Sequence, residues 1–190
     1  MSNPRFALVT PPTAEPVSFA AIKHHAKIEI DDDNALLDGY SSAARIMLER
    51  ATGRAFAAQT WTASLNAWPC VEDDASYRAV RLANFPLIAI TSVLVDGVAL
   101  ASTLYRLRGN DLLVSVDADD SDGELDDEIV ITYTCGYALT ALPEPLRLAI
   151  KMLATHFYEA RGATSPQGVY HQVIPFGVDA LILPYKVLDI

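Results

Sequence analysis

Cysteine, glycine and tryptophan are scarce in this sequence, and negative charge outweighs positive. Its two cysteines, Cys70 and Cys135, are too far apart for a CxxC unit and too few for a disulfide framework, so both read as free thiols, with Cys135 on a buried strand. None of the nine glycines falls in a GxGxxG or GxxxxGKS/T pattern, which removes the loops that cradle nucleotide phosphates. No serine occupies a GxSxG elbow, and neither cysteine has a recognisable nucleophile setting. No uninterrupted apolar run reaches about eighteen residues, and the opening MSNPRFALVTPPTAEP has no charged leader before an apolar stretch. Neither a membrane span nor a signal peptide is expected, and synthesis in the cytoplasm is. Fourteen basic residues face 24 acidic ones, for a net charge of −10. That balance argues against an open basic face that grips a phosphate backbone, but not against a protein that lets DNA pass without holding it.

What is present suits a well-buried core. The chain has 190 residues, 51% of them hydrophobic, enough for one compact unit with an appended lobe. The acidity is concentrated in DADDSDGELDDE, where Asp117, Asp119, Asp120, Asp122, Glu124, Asp126, Asp127 and Glu128 occur with no basic residue; outside it 16 acidic residues face 14 basic ones. Asp117, Asp119 and Ser121 have the one-three-five spacing of an EF-hand loop, and Glu128 stands at position twelve. Asp122 occupies the place of the turn glycine, however, and no helices flank the run, which favours a solvated hairpin loop over a calcium site.

Periodicity divides the chain. Residues 1–17 carry four prolines and read as an extended arm. Ser18 is a fitting N-cap for a short helix, FAAIKHHAK, with Phe19, Ile22 and Ala26 on one face. A longer helix follows Asp31 to Asp33, with Leu36, Leu37, Tyr40, Ala44, Met47, Leu48 and Ala51 at helical spacing and Gly53 as its stop. Residues 18–58 are thus the first helical part. From 59 to 136, short runs rich in β-branched and aromatic residues (TWTASL, YRAVRL, ITSVLV, LYRLR, LLVSV, EIVITYTC) predict an antiparallel β lobe, with hairpins at Asp96-Gly97 and Gly109-Asn110. A third helix is expected over 143–162, presenting Leu146, Ala149, Ile150, Leu153 and Phe157 together. Residues 163–190 end in VIPFGVDALILPYKVLDI, apolar yet fenced by Pro175 and Pro184, with helical spacing only around Val178 to Leu183. So short a piece needs a surface to fold on: either its own core or another protein.

The helix-to-strand junction ERATGRAF followed by QTW, the PEPLRLAI start of the third helix and the terminal PFGVDALILPY, taken in this order, resemble the head-tail connector (adaptor) proteins of tailed bacteriophages and gene transfer agents. The resemblance spans nearly the whole chain and rests on architecture and order. It implies a structural virion protein, not an enzyme, assembled in the host cytoplasm and placed at the head-tail interface. Copies would form a ring, twelve-fold to match a portal, that contacts the portal protein and a stopper or tail-completion protein and lets DNA through without specific recognition. No cofactor, metal or membrane is implied. Partner contacts are expected from Pro175, Phe176, Val178, Asp179, Leu181, Leu183, Pro184 and Tyr185, and the eight acids of 117–128 are candidates to line the DNA channel. Many such proteins close the terminal motif with arginine, where this chain has Lys186 after Tyr185.

The remaining residues read plainly. His24 and His25 are adjacent, so on a helix they point about 100° apart, and neither has a partner at i+4; with His156 and His171 they are surface or boundary histidines. Trp61 is expected in the core and Trp68 at the lobe edge, without the interleaved Lys or Arg of a base-stacking surface. The sequence therefore predicts an α+β protein in which a small three-helix body carries an inserted antiparallel lobe between two extended ends. The rival readings are a metal-dependent cytoplasmic enzyme using the acidic loop and a monomeric binding module whose C-terminal segment completes its own core.

Overall fold

Residues 4–69, 76–118, 128–160 and 174–187 are described by the structure, a computed structural model of the chain. Twelve regular elements run in the order β1 (Arg5–Thr10), α1 (Phe19–Ala26), α2 (Asn34–Thr52), β2 (Gln59–Leu65), β3 (Tyr77–Arg81), β4 (Leu87–Val95), β5 (Val98–Ala99), β6 (Tyr105–Arg108), β7 (Asp111–Ser115), β8 (Ile129–Cys135), α3 (Glu144–Glu159) and α4 (Phe176–Ile182). The fold is α+β, with four helices and two antiparallel sheets. Two units divide it: residues 1–12 with 58–136, and residues 13–57 with 137–190.

The first unit is the β lobe. Five strands lie in the order β1-β2-β8-β4-β5 and three in the order β3-β7-β6. In β8, Ile129, Ile131, Tyr133 and Cys135 are fully buried while the residues between them are not, the period-two signature of a half-buried strand. Both expected hairpins form. Val95 pairs with Val98 across Asp96 (φ 49°) and Gly97 (φ 78°), the positive-φ pair of a two-residue turn whose twist matches its strands. Arg108 pairs with Asp111 across Gly109-Asn110. The N-terminal stretch departs from the expected arm: Arg5–Thr10 pairs antiparallel with β2 as an edge strand, exposed along its length. Its prolines flank the strand, at 4 and at 11 and 12, outside the paired residues, and the register shifts between Leu8 and Thr10.

The second unit is helical. Ser18 caps α1, its Oγ accepting from the Ala21 amide at 3.3 Å, and α2 stops at Gly53 in the left-handed region, φ 69°. Val17, Ile22, Leu37, Ala44, Leu48, Phe56, Leu146, Ala149, Ile150 and Leu153 form one core with Val178 and Ile182. The Tyr158 hydroxyl, near the end of α3, donates to the Asp33 carboxylate at the start of α2 at 2.7 Å.

A charged cluster lies inside this unit. Arg45, 5% exposed, forks onto Glu15 through Nε at 2.7 Å and a terminal nitrogen at 3.2 Å, and reaches Glu49, one turn on, at 2.7 Å. The other Glu49 oxygen accepts the Phe56 amide at 2.6 Å, and Ser41 donates to the Val17 carbonyl at 2.6 Å. Burial holds the Glu49 carboxyl above its ordinary value despite the adjacent Arg45. Burial alone would lower Arg45, but its bond to Glu15 and the charges of both carboxylates outweigh that and hold it above its ordinary value.

Arg45→Met strands a buried carboxylate and should cost about 3 kcal/mol in urea unfolding, against little change for a surface arginine such as Arg50. The Glu49→Gln variant tests the pH dependence. Because the folded state holds the Glu49 proton more tightly than the unfolded chain does, this group's favourable share is full below its ordinary 4.5 and is lost as pH rises through the folded value. The wild-type advantage over Glu49→Gln should therefore be largest at acid pH and shrink toward neutrality in paired unfolding titrations.

Candidate partner-binding site

The C-terminal segment acquires its shape from the turn that ends α2. Gly53 donates its amide to the Glu49 carbonyl at 2.9 Å; a Cβ there would meet the Val187 side chain at 3.3 Å. Next to it Arg54 donates through Nε to the Tyr185 carbonyl at 2.6 Å and through a terminal nitrogen to the Tyr137 hydroxyl at 3.2 Å. The Val187 amide closes onto the Thr52 carbonyl at 2.8 Å. Residues 185–187 are thereby tied to the ERATGRAF junction by backbone and guanidinium bonds.

Upstream, Pro175 starts α4, its carbonyl accepting from the Val178 and Asp179 amides at 2.9 and 3.0 Å. Val178 and Ile182, one turn apart, are fully buried in the core that includes α3. Val178, one of the expected partner contacts, packs its side chain into the core of its own chain. Leu181 and Tyr185 pack partly against the same core, and Asp179 pairs with Lys186, seven residues on, at 2.9 Å, both groups partly exposed.

The opposite face is bare. Phe176 is 81% and Leu183 60% exposed, and Ala180 and Pro184 are exposed as well. Phe176 and Ala180, four apart on α4, share a face, and Leu183 and Pro184 stand exposed in the 3-10 turn that follows. The segment therefore divides: one face completes its own core and the other offers a rigidly held apolar ridge. The sequence already held the signal in its helical spacing, but could not tell the two faces apart without the position of α3.

Of the acidic residues, Asp117 and Glu128 are described; Asp119, Asp120, Asp122, Glu124, Asp126 and Asp127 lie outside the described residues. Asp117 ends β7 in a short 3-10 turn, where its carboxylate accepts from Ser115 Oγ at 3.2 Å. Glu128 donates its amide to the Asp96 carboxylate at 2.8 Å, while the Asp96 amide donates to the Glu128 carbonyl at 3.0 Å. Asp96 thus both turns a hairpin and fixes the end of the acidic run, a second role its sequence position did not announce. Among the described residues, no group of three His, Cys, Asp or Glu is placed to hold a metal, and no helix is long and apolar enough to cross a membrane.

No protein-family model and no curated protein matches the sequence. Solved structures do match its fold. A chain in the neck of an empty gene transfer agent particle, computed with C6 symmetry, superposes with a TM-score of 0.76 at 24% identity, covering 98% of this chain and 97% of that one. The chain has the fold of a gene-transfer-agent neck protein. A chain in the virion of the native particle gives 0.76 at 21% identity over 97% and 96%, and one in the native neck computed with C12 symmetry gives 0.71 at 24% over 100% and 97%. All three likenesses concern the fold.

Within this neck fold the two faces of α4 should separate cleanly under substitution. Ile182→Ala should lower unfolding stability by about 2–5 kcal/mol by opening a cavity. Phe176→Ser should stay within about 0.5 kcal/mol of the wild type in the same urea titration.

Proposed function

We propose that this chain is a structural head-tail connector: an adaptor whose copies form a ring beneath the portal of a phage or gene transfer agent particle, join capsid to tail, and leave a passage for DNA. The observation that carries the reading is the neck fold matched over essentially the full chain, with neighbours computed in C6 and C12 symmetry. Rings of this kind need a heterologous contact repeated around an axis, so each subunit must present two different surfaces. The ridge of Phe176, Ala180, Leu183 and Pro184 supports one of them. It is apolar, and it is held in place before any partner arrives, which lowers the ordering cost of association. Pro175, Asp179, Leu181 and Tyr185 form the half-buried margin of that surface. Its partner is a neighbouring subunit, the portal or the stopper, and a ring multiplies each weak contact through effective concentration. The function is association, with no reaction to catalyse. The carboxylates of 117–128 have a place in this reading as a repulsive lining that keeps DNA phosphate from adhering.

Native mass spectrometry of the protein alone and with portal protein tests the proposal. Assembly on the portal is expected, and a strict monomer in both mixtures overturns it. Phe176→Ser/Leu183→Ser should melt within about 2 °C of the wild type, because both side chains are exposed. The same variant should fail to join the portal-bound ring.

A further inference from the structure

The three-stranded sheet carries a charged face that runs against the acidity of the whole protein. In register, Tyr77 stands opposite Ser115, Arg81 opposite Asp111, Arg106 opposite Leu113 and Arg108 again opposite Asp111. Residues directly opposite across antiparallel strands share a face, so Tyr77, Arg81, Arg106 and Arg108 lie on one side of β3-β7-β6. All four are exposed, and Val80, Leu112 and Val114 on the other side are buried. The Arg106 guanidinium lies 4.4 Å from the centre of the Tyr77 ring, and that of Arg81 lies 5.8 Å from the Phe85 ring. Such stacking restrains a long side chain while leaving its N–H edge free to donate. The carboxylate on the face is Asp111, 3.8 Å from Arg81, a loose pair between solvent-accessible groups. Among the described residues, neither Arg106 nor Arg108 has a carboxylate partner.

We infer that this arginine-tyrosine face is a binding site for the phosphate backbone of duplex DNA. Alternate residues on a strand repeat every ~6.8 Å, which places Arg106 and Arg108 within reach of successive phosphates along one DNA strand. Arg81 stands across β7, about two strand spacings or ~10 Å away, and widens the contact. Guanidiniums donate in a planar fork that suits phosphate oxygens, and nothing on the face is arranged to read base edges. The contact is therefore independent of sequence and sensitive to salt. The connector reading supplies the source of the DNA, whereas the chemistry of the face stands apart from it.

Fluorescence anisotropy with a short labelled duplex provides the test, using the full chain. With three phosphates contacted, wild-type binding should weaken about 40-fold between about 50 and 200 mM salt. Arg81→Gln/Arg106→Gln/Arg108→Gln should lose at least about tenfold at the lower salt and flatten the dependence, while Arg50→Gln, in the other unit, keeps both. Should the triple variant fail to melt cooperatively, Arg108→Gln alone, which removes an exposed charge with no carboxylate partner among the described residues, should lower the log-log salt slope by about 0.9. Equal affinity and slope in wild type and variants overturns the inference. If wild type ignores duplex but joins the portal, the inference falls and the connector stands. If, in addition, the triple variant loses portal assembly, the face takes an acidic protein surface. Arginine-dependent duplex binding without any assembly sinks the connector reading and keeps this site.

Discussion

Helical order here depends on satisfying one largely buried glutamate. Glu49 sits where α2 stops, and each of its oxygens has a different duty: one holds Arg45, the other the Phe56 amide. A buried carboxylate without partners is costly, so both duties must be met at once. Meeting the first brings Glu15 and the chain ahead of α1 onto α2 through the Arg45 fork. Meeting the second fixes the path out of the helix past Gly53, which leaves Arg54 facing the Tyr185 carbonyl and Thr52 facing the Val187 amide. The two ends of the helical unit are thereby secured by a single turn of chain. That turn is the ERATGRAF motif, whose prominence in the sequence has a physical basis in these bonds.

Much of this architecture was legible because it is local. Helices α1, α2 and α3 follow from apolar spacing, Ser18 and Gly53 from capping chemistry, and the two hairpins from residue pairs that tolerate positive φ. What escaped was either long-range or dual. Arg5–Thr10 is a strand only because β2 lies beside it, and composition dominated by prolines reads the same whether or not a neighbour is present. Glu15 and Arg45 are thirty residues apart, so their pairing left no trace in any window, although the Arg45-Glu49 spacing of four was visible. In the C-terminal segment the choice between own core and foreign partner was posed as exclusive. A helix has two faces, and α4 uses Val178 and Ile182 for one purpose while Phe176 and Leu183 remain exposed.

The arginine face shows the same limit. Arg81 and Arg106 are separated by an entire hairpin and meet only because β7 lies between β3 and β6. A net charge of −10 conceals them, since totals say nothing about how charge is sorted between faces. The departure at Lys186 is also clarified by geometry. A lysine is a point charge and serves Asp179 well, while the planar fork that an arginine would bring to this region comes from Arg54, bound to the Tyr185 carbonyl.

Sorting of charge has a consequence for the proposed connector, which would have to let a polyanion move. The inferred contact of three guanidiniums per chain would be weak alone, but the proposed ring would repeat it, and repeated contacts can arrest what they touch. Opposing charge on the same lobe limits that gain. The β7 strand that separates the arginines leads directly into Asp117, and Glu128 returns the chain to β8 within reach of Asp96. The proposed attraction and repulsion are thus anchored to strands of one lobe, β7 in its three-stranded sheet and β8 in its five-stranded one. Their balance is set by ionic strength, since screening weakens both but acts most on exposed groups farther apart than a Debye length of about 8 Å. On the proposed reading, the register of β3, β7 and β6 sets the spacing of the arginines that would meet DNA.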